Sequence, residues 1–309
     1  MTVIVRDFRP EDASVVAEVR RTAIPFMVNT PESVAWQVAH APAEQRYRLL
    51  VGELDGRVVA TSHTGLAQAS GRSGRSFSNP SVHPDARGRG VGSAMLAEAE
   101  RYLRAEGATS LYVWSLDDPR CLGFAERRGY TIGRGSVFQR LDLATVELPP
   151  LPDATALPAD VELRTVGELT DRVAEFHTAD VEATADEPGD LSGTDLDFAR
   201  WRAMYWDHPG LDRDLSVVAL VDGTIAAYTV VHTDRRDRYQ SQMTGTRRGH
   251  RGRGLATLVK TASLHRARAA GFTAAFTGND SDNQPMLAIN RRFGYQAVQG
   301  ERRVFTSLV

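Results

Sequence analysis

Val82-His-Pro-Asp-Ala-Arg-Gly-Arg-Gly-Val-Gly92 opens an amphipathic segment that runs to Gly107, with Val91, Met95, Ala99, Tyr102 and Leu103 on one helical face. Glycines at 88, 90 and 92 let a backbone approach a ligand closely, and the first N–H groups of a helix have no intrahelical acceptor. A loop of this kind feeding a helix is an anion cradle, reinforced by the helix dipole and by charge-assisted bonds from Arg87 or Arg89. A pyrophosphate is a suitable guest. The spacing departs from the G-x-G-x-x-G of dinucleotide folds, and the Gly-Lys-Ser/Thr of a Walker loop is missing.

The same order recurs downstream. Arg251-Gly-Arg-Gly-Leu-Ala256 opens a second amphipathic segment ending at Gly271, with Leu255, Leu258, Val259 and Ala262 on one face. Arg87 and Arg251, Gly107 and Gly271, and Thr109 and Thr273 are each separated by 164 positions. A constant offset over loop, helix, glycine stop and strand indicates duplicated domains. Upstream, Leu49 to Val59 with Asp55-Gly56 matches Ser216 to Ala226 with Asp222-Gly223, each reading as two strands joined by a short hairpin. Pro149, Pro150, Pro152 and Pro158 mark a stiff extended linker. The expected organisation is a first domain at 1–143, a Pro-rich linker at 144–160 and a second domain at 161–309. The fold class is α+β, each domain a mixed, mainly antiparallel sheet flanked by helices.

The loop from Val82 to Gly92 resembles the acetyl-CoA motif of the GNAT acetyltransferases, and Thr246 to Ala256, Asn279, Asn283, Pro285 to Asn290 and Gly294-Tyr295 resemble it in the second half. The tandem layout is similar to that of the mycothiol synthase family. The resemblance implies acetyl-CoA as cofactor, held by Val82, Arg87, Gly88, Arg89, Gly90, Val91, Gly92 and Ser93 in the first half. In the second half it implies Thr246, Arg251, Gly252, Arg253, Gly254, Leu255 and Ala256, with Asn283 and Asn290 beyond them. It further implies direct attack of a neutral amine on the thioester, without a covalent enzyme intermediate or a metal. The strand before each loop, Phe77 to Val82 and Gln240 to Thr246, splays in this family and offers N–H groups to the thioester carbonyl.

Two departures stand out. Where many family members place a tyrosine as acid for the departing thiolate, this chain has Ala125 and Asn290; where many place a glutamate base on the strand before the loop, neither strand has a carboxylate. A base must come from elsewhere. Between Asp180 and Asp197 lie seven acids in eighteen residues without a Lys, Arg or His. A solvated acidic loop is one reading of this run. The other is an acidic mouth that attracts a cationic amine, with Glu182, Asp186 or Glu187 as base. The first half has Arg20 and Arg21 in the comparable region, so the second is the expected active half. The alternative reading is a CoA-binding scaffold or sensor with one or both domains non-catalytic.

Composition narrows the partners. With 42% hydrophobic and 25% charged residues among 309, the chain has the make-up of a globular protein, and a net charge of −2 disfavours a nucleic-acid partner held through phosphates. Cys121 is the only cysteine, so neither an intrachain disulfide nor a cysteine-based zinc site is available. The opening residues carry Arg6, Asp7 and Arg9 in place of an apolar signal core. The expectations are a cytoplasmic protein without membrane or metal, acting on a small-molecule amine, as a monomeric pseudo-dimer or a homodimer.

Overall fold

In the computed structural model, residues 2–67, 74–185 and 197–309 are described. The first half runs β1 (Val3–Asp7), α1 (Ala13–Ala23), α2 (Pro31–Ala39), β2 (Arg48–Leu54), β3 (Arg57–Leu66), β4 (Arg75–Val82), α3 (Val91–Ala105), β5 (Ser110–Leu116), α4 (Pro119–Glu126) and β6 (Thr131–Asp142). The second repeats this order as β7 (Val161–Thr165), α5 (Val173–Thr184), α6 (Phe198–Trp201), β8 (Val217–Val221), β9 (Thr224–Thr233), β10 (Arg238–Thr246), α7 (Leu255–Ala269), β11 (Ala274–Asp280), α8 (Gln284–Arg292) and β12 (Gln296–Ser307). The expected α+β class and the mixed sheets flanked by helices are present. The Asp55-Gly56 and Asp222-Gly223 turns place both residues at positive φ, the requirement of the tight hairpin turn whose twist matches the strands it joins.

The chain folds into two compact units, residues 1–137 with 299–309, and residues 138–298. The expected boundaries are corrected here, because the last strands exchange. In the first unit the sheet order is β1-β2-β3-β4-β5-β12, with Glu301 to Ser307 antiparallel to Leu116 to Ser110. In the second unit the order is β6-β11-β10-β9-β8-β7, the end of β6 standing where β12 stands in the first. The cause is apolar burial. Val304 and Leu308 pack with Leu96, Leu103 and Leu111, whereas Leu141 and Leu143 pack with Leu264, Ala267 and Phe293. Each such side chain stabilises its unit by about 1.5–3 kcal/mol.

The Pro-rich segment is likewise more than a spacer. Arg268 on α7 donates to the carbonyls of Leu143, at 2.8 Å, and Val146, His265 lies 2.8 Å from the carbonyl of Pro149, and Leu148 is buried. These contacts strap its first part onto α7 within the second unit.

Candidate active sites

The two loops adopt one geometry. Gly90 and Gly254 are the residues before α3 and α7, at φ 84° and 76°, and neither helix has a side-chain N-cap. The opening N–H groups of both helices are therefore left to a ligand, and a Cβ built at Gly88, Gly90, Gly252 or Gly254 meets only open space. Arg87 Nε donates to the Val82 carbonyl at 3.2 Å, and Arg251 Nε to the Thr246 carbonyl at 3.2 Å. Each arginine thus clamps the end of its strand to its own loop. The backbone shape and the polarity suit a pyrophosphate.

The other expected cofactor residues fall around these loops. Arg89 lies 3.6 Å from Asp55, and Arg253 donates to Asp160 at 2.6 Å, holding that carboxyl below its ordinary range. Val91 and Leu255 are buried first residues of their helices, serving as core anchors. Gly92 follows Val91 with Val82 and Phe124 beside it, and Ser93 accepts from Arg128 at 2.6 Å. Ala256 continues α7, and Asn283 caps α8 through Met286 N–H at 3.3 Å.

Asn290 differs from expectation. It is fully buried, its Oδ1 accepts from Lys260 Nζ at 2.8 Å, and its Nδ2 donates to Asn279 Oδ1 at 2.7 Å and Gln139 Oε1 at 2.9 Å. Its amide is hydrogen-bonded within the protein, where the family resemblance implied a contact to the cofactor. Lys260 is 0% exposed with no carboxylate among its hydrogen bonds, and burial pushes its ammonium down to about 7. Sequence reasoning missed this network; the signal was a lone lysine at position 260, on the apolar stripe of α7.

Beside each loop the sheet opens. The parallel pairing of β4 with β5 ends at Phe77 and Tyr112, and that of β10 with β11 ends at Ser241 and Thr277. Beyond those residues the strands lack each other as ladder partners, leaving a wedge toward the loop. The two wedges differ. In β10 the register with β9 shifts between Ser241 and Met243, so Gln242 forms a bulge. Bulges re-aim backbone groups at functional positions. The matching part of β4 keeps unbroken register with β3, and Pro80 removes one N–H from it. Asn79 Oδ1 also accepts from Trp114 N–H at 2.8 Å, bridging the first wedge from β4 to β5.

The acidic segment is only partly described. Asp186 and Glu187 lie outside the described residues, as do Asp190 and Asp195. Glu182, a base candidate in the sequence, is held at both oxygens: its Oε2 accepts from Arg247 Nε at 2.7 Å and its Oε1 from Arg248 N–H at 2.8 Å. The bond from Arg247 holds its carboxyl below the ordinary range, so it is a poor proton acceptor and a good tether for the turn that leads into the second cradle. Asp180 accepts from Trp201 Nε1 at 2.7 Å and from the hydroxyl of Tyr228, and burial pushes its carboxyl up. It pins α5 to β9 and α6. His232 stacks on His208 with ring centroids 4.4 Å apart, and burial pushes it down to about 3. Among the described residues no cluster of three or more metal-ligating side chains is formed, and no helix is long and apolar enough to cross a membrane.

Paired helix cradles beside splayed parallel strands belong to an acyltransferase that takes its acyl group from acetyl-CoA. The pattern of the Acetyltransferase (GNAT) family matches residues 18–130 and again 181–295, and the chain belongs to that family. It is 32% identical over 255 residues to a mycothiol acetyltransferase of Frankia casuarinae, covering 78% of this chain and 71% of that protein. A mycothiol acetyltransferase of Rhodococcus jostii is 30% identical over 222 residues, 70% of this chain and 69% of that one. Among solved structures, a tandem GNAT protein from the clavulanic acid biosynthesis pathway shares the fold over 100% of this chain and 99% of its own, with TM-score 0.74 and 22% identity. A GCN5-related N-acetyltransferase from Sphaerobacter thermophilus does so with TM-score 0.68 and 20% identity, over 99% and 96%.

Proposed function

We propose that the protein transfers an acetyl group to a primary amine of a small, cationic acceptor by direct attack, and that the second unit performs the reaction. The observation that carries this reading is the contrast between the wedges: β10 is bulged at Gln242, whereas β4 runs in register and is bridged to β5 by Asn79. When bound, acetyl-CoA supplies an activated acetyl group as a thioester. The cradle of Gly252, Gly254 and the first turn of α7 holds the pyrophosphate, and Arg251 keeps that cradle fixed to β10. In this reading N–H groups of β10 beyond Ser241, no longer matched by β11, polarise the thioester carbonyl. Positioning the amine at the same carbonyl supplies the entropic part of the acceleration.

The base is drawn from the acidic run, with Asp186 and Glu187 as its members and Glu182 tethering the turn. The run's charge also favours a cationic acceptor near its mouth. The names of the mycothiol acetyltransferases support a small-molecule acceptor. A cytoplasmic location agrees with this donor. For the first unit, the bridged wedge favours a non-catalytic binding role.

The test is an amine screen following CoA release, with Asp186→Asn and Glu187→Gln compared across pH. Loss of the acidic limb of kcat/KM in one of them supports the assignment. Wild-type profiles in both variants refute the base, and absence of CoA release with every amine refutes the activity.

A further inference from the structure

The first unit contains a buried cation without an anion. Arg20, on α1, is 7% exposed; its Nη1 reaches only neutral amide oxygens, Gln37 Oε1 at 3.2 Å and Asn29 Oδ1 at 3.5 Å. Its Nη2 makes no hydrogen bond of ordinary geometry, although the Tyr47 hydroxyl lies beside the guanidinium. Two further buried donors on the same segments lack partners, Asn29 Nδ2, just before α2, and Trp36 Nε1, on α2 beside Gln37; the hydroxyl of Tyr47, just before β2, lies beside the guanidinium and has no acceptor for its own proton. All four atoms are donors or carry a donor proton, so what these segments lack is an acceptor. Native interiors rarely leave buried donors unmade, and an uncompensated buried charge is rarer still.

The surroundings set the charge of the missing partner. The titratable neighbours of the guanidinium are Tyr47 and His63. Burial pushes the phenol up to about 12 and, with the nearby Arg20 charge, pushes the imidazole down to about 3, so both are neutral near pH 7. Asn79 fixes the tautomer of His63. Its Oδ1 is taken by Trp114 N–H, so its Nδ2 faces His63 Nε2 at 2.7 Å, which leaves the imidazole proton on Nδ1. The environment thus carries one positive charge and several neutral donors. A monoanion balances it, whereas a phosphate dianion would leave a buried negative charge and a cationic amine would add a second positive one.

We propose that the first unit binds a small organic monocarboxylate between α1, α2 and the start of β2, with Arg20 as its countercharge and Asn29, Trp36 and Tyr47 as neutral donors. The site is independent of acetyl transfer in the second unit.

The experiment uses the full chain at pH 7, with thermal melts and calorimetry against sodium acetate, propionate and benzoate, and with chloride and inorganic phosphate at matched ionic strength. Wild type should show a saturable rise in melting temperature with at least one carboxylate and none with chloride or phosphate. Affinity should fall tenfold or more in Arg20→Met and several-fold in Trp36→Phe. Ligand-free Arg20→Met should melt no lower than wild type, because it removes an uncompensated charge while keeping the packing of the stem. Should that variant fail to fold, Trp36→Phe decides alone. No saturable carboxylate response in wild type, an equal response to chloride or phosphate, or undiminished binding in Trp36→Phe would overturn the proposal.

Discussion

Lys260 Nζ donates to Asn290 Oδ1 at 2.8 Å inside the second unit, where the corresponding residues of the first, Leu96 and Ala125, are both buried and apolar. The polar pair is therefore a device of one unit, laid over a fold that closes without it. Asn290→Ala should destabilise that unit by about 2–4 kcal/mol, since it strands a buried ammonium and the Gln139 and Asn279 oxygens. The double variant Lys260→Leu/Asn290→Ala should recover most of that loss, and denaturant titration of the cycle measures the coupling. Strictly additive losses would contradict a coupled pair.

The same lysine sets a pH dependence. Its folded value, about 7, lies below the ordinary 10.5, so the unfolded chain binds the extra proton between those limits. Stability from this group is present in full above 10.5 and is lost as pH falls toward 7. Melting temperature measured from pH 7 to 10 should rise more steeply in wild type than in Lys260→Met. Parallel curves would mean that the lysine titrates normally.

Glycine at the two cradles tests which unit turns over. Gly254 sits at φ 76° and Gly90 at φ 84°, so glutamate at either adds backbone strain and a negative charge where a pyrophosphate is expected. Gly254→Glu should lower kcat/KM for acetyl-CoA by about 100-fold or more, the scale of losing several charge-assisted bonds. Gly90→Glu should leave it within about threefold, the effect expected of a change outside the reacting site. Calorimetry on the same variants reports how many cradles bind the cofactor.

Glu182 tethers Arg247 and the Arg248 N–H, which predicts a binding defect in place of a proton-transfer defect. Glu182→Gln should raise KM for acetyl-CoA several-fold and leave the pH profile of kcat unchanged. A lost acidic limb would return Glu182 to the role of base.

The exchanged strand gives a distribution of damage that sequence order does not suggest. Truncation after Val298 removes the partner of β5 and the buried Val304 and Leu308. Hydrogen exchange should accelerate in Ser110 to Leu116, in the first unit, although the deletion is made at the end of the second half. Acceleration confined to β11 would contradict the strand order.

Much of this protein was readable from local chemistry. Arg-Gly loops before apolar stripes, Asp-Gly hairpins and a constant offset of 164 positions depend only on nearest neighbours and periodicity, and they determined the duplicated α+β units and their cradles. What long-range packing decided was invisible in that pattern. The exchange of β6 and β12 rests on which core receives Leu141 or Val304, Glu182 became a tether because Arg247 lies 65 positions away in sequence, and Asn290 turned inward because Lys260 needed an oxygen. Local rules fix how a segment folds; the pairing of distant charges, amides and strand edges is settled only when burial makes an unmatched group costly.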